Sequence, residues 1–180
     1  SLLKLRGSYG VVGSDVTSGN RYLFRQEYIN GGDYSFGENH GNAGSIYEGE
    51  LGNLDVTWEK AKKADVGIDV NLFKDKLSFT IDYFHDIRYD QLVRKGSVPN
   101  IIGVGFSPTN VAKTSNTGFD GQVNYRGSVR NVNFNTSLVF QYFKNKVLFK
   151  DEASPAYPWL AQTGLPIDQP FGYTHIGFYT

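Results

Sequence analysis

Lys63-Ala64-Asp65-Val66-Gly67-Ile68-Asp69-Val70-Asn71-Leu72-Phe73-Lys74-Asp75-Lys76-Leu77-Ser78-Phe79-Thr80-Ile81-Asp82-Tyr83-Phe84 is the stretch that decides the fold. Ala64, Val66, Ile68, Val70 and Leu72 alternate with Lys63, Asp65, Gly67, Asp69 and Asn71; after a short gap Leu77, Phe79, Ile81 and Tyr83 alternate with Ser78, Thr80, Asp82 and the larger Phe84. A period of two is the mark of a strand with one apolar and one polar face. Phe73-Lys74-Asp75-Lys76 has the length of a hairpin connection, so the stretch predicts two antiparallel neighbours.

The same pattern extends in both directions. Leu3, Leu5, Gly7, Tyr9 and Val11 share a face opposite Lys4, Arg6, Ser8 and Gly10. Phe119, Gly121, Val123 and Tyr125 oppose Asp120, Gln122, Asn124 and Arg126. Val132, Phe134, Thr136, Leu138, Phe140 and Tyr142 oppose Asn133, Asn135, Ser137 and Gln141, with Val139 breaking the polar side. Each run is roughly ten residues, the length a tilted strand needs to cross a bilayer. An all-β antiparallel meander of about five long strands is therefore expected. Alternation alone does not separate a membrane barrel from a soluble sandwich, whose outer face also accepts mid-strand charges such as Arg6, Asp69, Asp82 and Arg126.

The connections favour the barrel. Residues 73–76 and 127–131 form short links, whereas about 13–61, 86–115 and 144–180 are long. Transmembrane barrels alternate in this way, with short periplasmic turns and long extracellular loops; a compact soluble domain seldom holds several long loops. Parity then orients each strand and puts Tyr9, Tyr83 and Tyr142 near the outer strand ends on the lipid side, where an aromatic girdle belongs. The plainer reading has them as ordinary tyrosines in a packed face. Five strands cannot close around a lumen, for single-chain bacterial barrels have at least eight, and open edges are costly in lipid. The expectation is a segment of a larger chain, extended on both sides.

Composition agrees. Eighteen basic and eighteen acidic residues give a formal net charge of zero, so nothing favours nucleic acid or a polybasic membrane-surface segment. Cysteine is absent, which excludes disulfides and thiolate metal sites. Methionine is absent too, and Ser1-Leu2-Leu3-Lys4-Leu5-Arg6 enters the alternating pattern at once; the N-terminus is expected to be a cut. No apolar run approaches the ~18 residues of a membrane helix, a test to which barrels are blind.

Nothing in the chain points to covalent chemistry. His40, His85 and His175 lack metal-type spacing, and no cofactor, metal or catalytic constellation is expected. Gly103-Val104-Gly105 lacks the third glycine and following helix of a nucleotide fingerprint. The loop aromatics are more suggestive: Tyr22, Phe24, Tyr28, Tyr34, Phe36 and Tyr47 in the first loop, Tyr157, Trp159, Phe171 and Tyr173 in the last. Flat apolar faces among amide and acidic groups suit a sugar or peptide. Tyr34, Tyr47, Trp58, Tyr157, Trp159 and Tyr173 are the candidate ligand or vestibule residues, against the plainer reading that such rings pack the loops together.

Leu3-Lys4-Leu5-Arg6-Gly7-Ser8-Tyr9-Gly10 resembles a strand of the SusC/RagA-type TonB-dependent transporters of Bacteroidetes outer membranes. Asn53-Leu54-Asp55-Val56-Thr57-Trp58-Glu59 is similar to that family's next segment, followed by Val66-Gly67-Ile68-Asp69, Leu77 to Phe84, and Tyr89-Asp90-Gln91-Leu92-Val93. Asn116-Thr117-Gly118-Phe119-Asp120, Asn145-Lys146-Val147, Gly164-Leu165-Pro166 and Phe171-Gly172-Tyr173 continue the match, which runs in order through nearly the whole chain. Leu54, Thr117 and Asp120 depart from the family's usual proline, lysine and glutamate, which puts only fine loop geometry in doubt.

The resemblance implies that residues 1–180 are part of a 22-stranded barrel domain in the bacterial outer membrane, without the plug and TonB box. It implies import of glycans or other large nutrients, oligosaccharides or peptides, with TonB, a SusD-like surface lipoprotein and membrane lipid as partners. The alternative is a soluble all-β carbohydrate-binding module, in which the face of Leu77, Phe79 and Ile81 packs on a second sheet.

Overall fold

The computed structural model describes residues 2–15, 21–38, 40–175 and 177, so residue 1, residues 16–20 and 39 of the first expected loop, and 176 and 178–180 of the last lie outside the described residues. The described residues form seven strands: β1 (Leu2–Ser14), β2 (Tyr28–Phe36), β3 (Gly41–Glu48), β4 (Glu59–Leu72), β5 (Leu77–Val93), β6 (Thr109–Val129) and β7 (Val132–Phe149). Five form one antiparallel sheet in the order β1-β4-β5-β6-β7, the expected meander; β2 and β3 pair only with each other.

The register lines the strands up rung by rung. Leu3, Val70, Phe79, Val123 and Leu138 lie in one row, and Leu5, Ile68, Ile81, Gly121 and Phe140 in the next. Toward the loop end comes the row Gly7, Val66, Tyr83, Phe119 and Tyr142, then the mixed row Tyr9, Ala64, His85, Thr117 and Lys144. The apolar residues thus make a continuous belt. Two of its glycines lie beneath phenylalanine rings: a Cβ on Gly121 or Gly127 would collide with Phe140 or Phe134, so each ring covers the gap left on the neighbouring strand.

No second layer covers this belt among the described residues. Leu3, Leu5, Val66 and Leu138 are 65%, 74%, 61% and 62% exposed, and the only buried hydrophobics described are Leu23, Ala112 and Val147, all at the loop end. A sandwich needs this face inside a dry core some 10 Å thick. The sheet has the two-faced exposure of a barrel wall, and the carbohydrate-module alternative loses its structural basis.

The turn end is tight. Leu72 pairs with Leu77 across a turn whose Phe73, Lys74 and Asp75 all have positive φ (54°, 55° and 67°). The second link is shorter than the sequence indicates, because β6 and β7 run on to the pair Val129 and Val132, leaving Arg130 (φ 55°) and Asn131 as the turn. At the other end β5 and β6 continue well past the regular alternation. A bulge around Asp90 (φ 56°) breaks their register, and the connection between them is residues 94–108. The first long connection holds the β2–β3 hairpin, itself irregular between Asn30 and Asp33.

Candidate functional site: a polar wall and a laced loop end

The face opposite the apolar belt carries the charges. Arg6, Gly67 and Asp82 occupy one rung of β1, β4 and β5. The Arg6 guanidinium reaches across the glycine: Nη2 donates to Asp82 Oδ2 at 2.9 Å and to Asp69 Oδ1 at 3.2 Å. Its Nε lies 3.0 Å from Asp69 Oδ2, at ion-pair distance but out of line for a hydrogen bond. Thr80 Oγ1 adds a 3.0 Å bond to Asp69, and Lys4 Nζ stands 4.0 Å away. Gly67 makes this possible, since a Cβ there would run into the Asp82 carboxylate and approach Arg6 Nη2 to 2.9 Å. Opposite charges at matching rungs are visible in the sequence, but the three-strand register is not. Phe84, the large residue on this face, lies over Gly118, whose added Cβ would meet its ring at 2.7 Å. Nothing in the structure explains Val139, which is 71% exposed.

All three long connections lie at one end of the sheet and are tied to each other. Leu51 N donates to Gly105 O (2.8 Å) and Ser107 N to Leu51 O (3.0 Å), joining the first connection to the second. Asn53 Nδ2 reaches Pro108 O at 3.0 Å. Asn110 clamps the same junction: its Oδ1 accepts from Thr57 N (2.9 Å) and its Nδ2 donates to Thr57 O and Asp90 O, each at 2.7 Å. The second connection meets the third through Gly96 N to Asp151 O and Ser97 Oγ to Asp151 Oδ2, both 3.0 Å. The third folds back on β7, with Val147 N donating to Leu165 O (2.9 Å) and Gly164 N to Val147 O (2.8 Å). Glu152 closes its bend by accepting from Gln162 N (2.8 Å) and Thr163 N (2.9 Å). These backbone donors hold its carboxyl below the usual glutamate range.

The candidate aromatics fall into separate groups. Trp58 lies against Gly13 and lines a cleft of about 460 Å³ with Phe24, Asp15, Arg21, Thr57 and Glu59, where both ends of the first connection meet β5. Tyr157 and Trp159 stack nearly parallel, 4.8 Å apart at 9°, on a short 3-10 turn (Pro158–Leu160), and both are exposed. Tyr34 leans on Phe36 (4.8 Å) in β2, while Tyr47 lies on β3 beside Gly31. Tyr173 is fully exposed with no ring partner among the described residues. Only Tyr157 and Trp159 are brought together. Of the girdle candidates, Tyr83 and Tyr142 share a rung with Phe119, whose ring is 5.6 Å from Tyr142, and Tyr9 lies one row beyond. Phe119 belongs with them by position, although its aromatic neighbours are remote in sequence. Among the described residues no group of three or more potential ligands is placed to hold a metal.

Residues 3–174 match the family model described as TonB dependent receptor-like, beta-barrel. Two proteins of Formosa agariphila are similar: TonB-dependent receptor P3, 28% identical over 98% of this chain and 18% of its own, and TonB-dependent receptor P39, 25% identical over 99% of this chain and 17% of its own. The chain thus spans under a fifth of these relatives. Among solved structures, the RagAB peptide importer in its closed-closed state aligns with a TM-score of 0.72 at 24% identity, covering 92% of this chain and 18% of that one. The open-open state gives 0.67 at 24% identity, over 83% and 16%. The chain belongs to the TonB-dependent receptor-like β-barrel family, and its place is the bacterial outer membrane.

Proposed function

We propose that residues 1–180 form part of the wall and vestibule of a 22-stranded transporter that imports large nutrients, glycans or peptides. A plug and TonB box elsewhere in the full protein power it, and a SusD-like lipoprotein captures ligand at the surface. The observation that carries this reading is the polarity of the sheet: tight turns at one end, three mutually bonded connections at the other, and an apolar belt between. The belt meets lipid, with Tyr9, Tyr83 and Tyr142 at its outer boundary; the Arg6, Asp69 and Asp82 face lines the wet interior. In the vestibule the stacked Tyr157–Trp159 pair and the Trp58 cleft are the leading ligand contacts, with Tyr34, Tyr47 and Tyr173 as outlying ones. Aromatic faces beside carboxylates and amides favour oligosaccharide; likeness in fold to a peptide importer favours peptide as the second reading.

The absence of cysteine in this chain supplies the test. In the full-length parent, freed of cysteines elsewhere, single cysteines replace Ser45, Lys113 or Asp151 at the loop end, and Asp75 or Ser128 at the turn end. A membrane-impermeant maleimide on intact cells labels the first group and spares the second. Equal labelling of both groups, or labelling only after lysis, removes the transporter-wall reading.

A further inference from the structure

The five sheet strands separate their charges by face, and they do so beyond the apolar belt as well as within it, where spanning a membrane requires it. Glu59, Asp65, Asp69, Asp82, Asp86 and Asp120 all project on the interior side, by their register with Arg6 and its neighbours. The one exception is Asp90, at the bulge, where it is engaged by Lys60 Nζ at 3.1 Å. On the lipid side the cations lie only beyond the tyrosine row and only at the loop end. Lys144 follows Tyr142 on β7, Lys146 comes next, and Lys62 shares the Lys146 rung through Ile87 and Ser115. These three lysines are exposed and have no ion-pair partner among the described residues. Lys62 lies over the Tyr89 ring at 5.4 Å, which keeps its stem along the sheet surface.

Height places the ammonium groups. At ~3.3 Å per residue and a tilt of about 40°, Lys144 stands about 5 Å and Lys146 about 10 Å above Tyr142 along β7, and Lys62 about 10 Å above Val66, the residue of the tyrosine rung on its own strand. That is headgroup depth, just outside the hydrocarbon, where stems lie along apolar surface and charges reach for anions. We propose that Lys62, Lys144 and Lys146 form a binding strip for the phosphorylated glycolipid of the outer leaflet, anchoring this part of the wall against lipid. The strip faces away from the interior, so it has no part in ligand passage. It rests on the assignment of the apolar face to lipid, which the cysteine labelling decides separately.

The test uses the full-length parent purified from outer membranes in zwitterionic detergent. Mass spectrometry of the extracted lipid counts phosphorylated glycolipid per protein, for wild type and for the Lys62→Gln/Lys144→Gln/Lys146→Gln variant. The lumenal control is Lys63→Gln. Heat-modifiable mobility on gels confirms that each barrel is folded. Each lysine removed should weaken retention about fivefold in low salt, the control should match wild type, and phosphatidylglycerol should not substitute for the glycolipid. Unchanged retention in the folded triple variant overturns the proposal; so does an equal loss in Lys63→Gln, or equal retention of phosphatidylglycerol.

Discussion

Replacing Leu138 with arginine puts a guanidinium near the middle of the apolar belt, and the register says how near. On β7 the belt runs from Val132 to Tyr142. That span, at ~3.3 Å per residue and a tilt of about 40°, rises about 25 Å, the height of a barrel's lipid-facing band. Leu138 stands about 15 Å above Val132, within about 3 Å of the midplane. Arginine there should cost about 2–4 kcal/mol, a roughly 30- to 700-fold shift toward the unfolded state, whereas Tyr142→Arg at the boundary should cost at most about 1 kcal/mol. Ser137→Arg is adjacent in sequence but on the wet face; it loses only the exposed 2.9 Å bond from Gln122 and should cost about 1 kcal/mol or less. The assay is equilibrium unfolding of the full-length parent in phospholipid vesicles, followed by tryptophan fluorescence. A cost for Ser137→Arg as large as that for Leu138→Arg would refute the assignment of faces, and so would a cost that does not fall between Leu138 and Tyr142.

Gly67→Ala should destabilise the wall by about 1–3 kcal/mol, since its methyl group displaces the Asp82 carboxylate from Arg6; in an Asp82→Ala background the same change should be nearly silent, a coupling that a double-mutant cycle in vesicles measures. Asn110→Ala removes two hydrogen bonds that tie Thr57 of the first connection to β6 and one that ties β6 to Asp90 of β5, so limited proteolysis of residues 13–61 on intact cells should quicken while the strand core stays protected. Glu152 has a folded pKa below its unfolded one, so its contribution is complete above the ordinary glutamate range and is lost as pH falls through the lowered value; amide exchange at Gln162 and Thr163 should accelerate under acid, and Glu152→Gln should abolish that dependence. Trp159→Ala, which breaks the stack with Tyr157, should lower uptake of the cognate ligand severalfold without changing barrel assembly, whereas unaltered uptake would remove the pair from the vestibule contacts.

Period two is the part of this fold that is legible in the sequence. Ala64 to Tyr83 shows both faces and the turn because one side of each strand is almost uniformly apolar. The β2–β3 hairpin does not declare itself in this way: Tyr28 and Ile29 are adjacent, Gly31-Gly32 interrupts the run, and the register slips between Asn30 and Asp33. The signal present is turn-forming composition, Gly37 to Gly41, between Tyr34-Ser35-Phe36 and Ile46-Tyr47. The outer ends of β5 and β6 are hidden for a related reason, since the Asp90 bulge shifts the side-chain phase. Aromatic character singles out Tyr157 and Trp159, which prove to be neighbours, and equally Tyr34, Tyr47 and Tyr173, which do not. Aromatic content is local, whereas convergence depends on how the loops fold back.

The two ends of this chain are held by different means. Among the described residues the wall has no dry core: its apolar belt stays open on one side and its polar face on the other, so strand pairing is the main contact it makes within itself. Among the described residues both outer strands, β1 and β7, end the sheet with unpaired edges, and in lipid each unpaired backbone group costs several kcal/mol. On the proposed transporter reading the wall draws its stability from lipid on the belt and from neighbouring strands of the barrel at its edges. The loop end is different. Leu23, Ala112 and Val147 are buried there, Asn53, Asn110 and Asp151 tie the connections to neighbouring segments, and Glu152 closes the bend of the third. Changes in the belt should accordingly register in assembly of the whole barrel, and changes in the loop lacing in local exchange and ligand uptake.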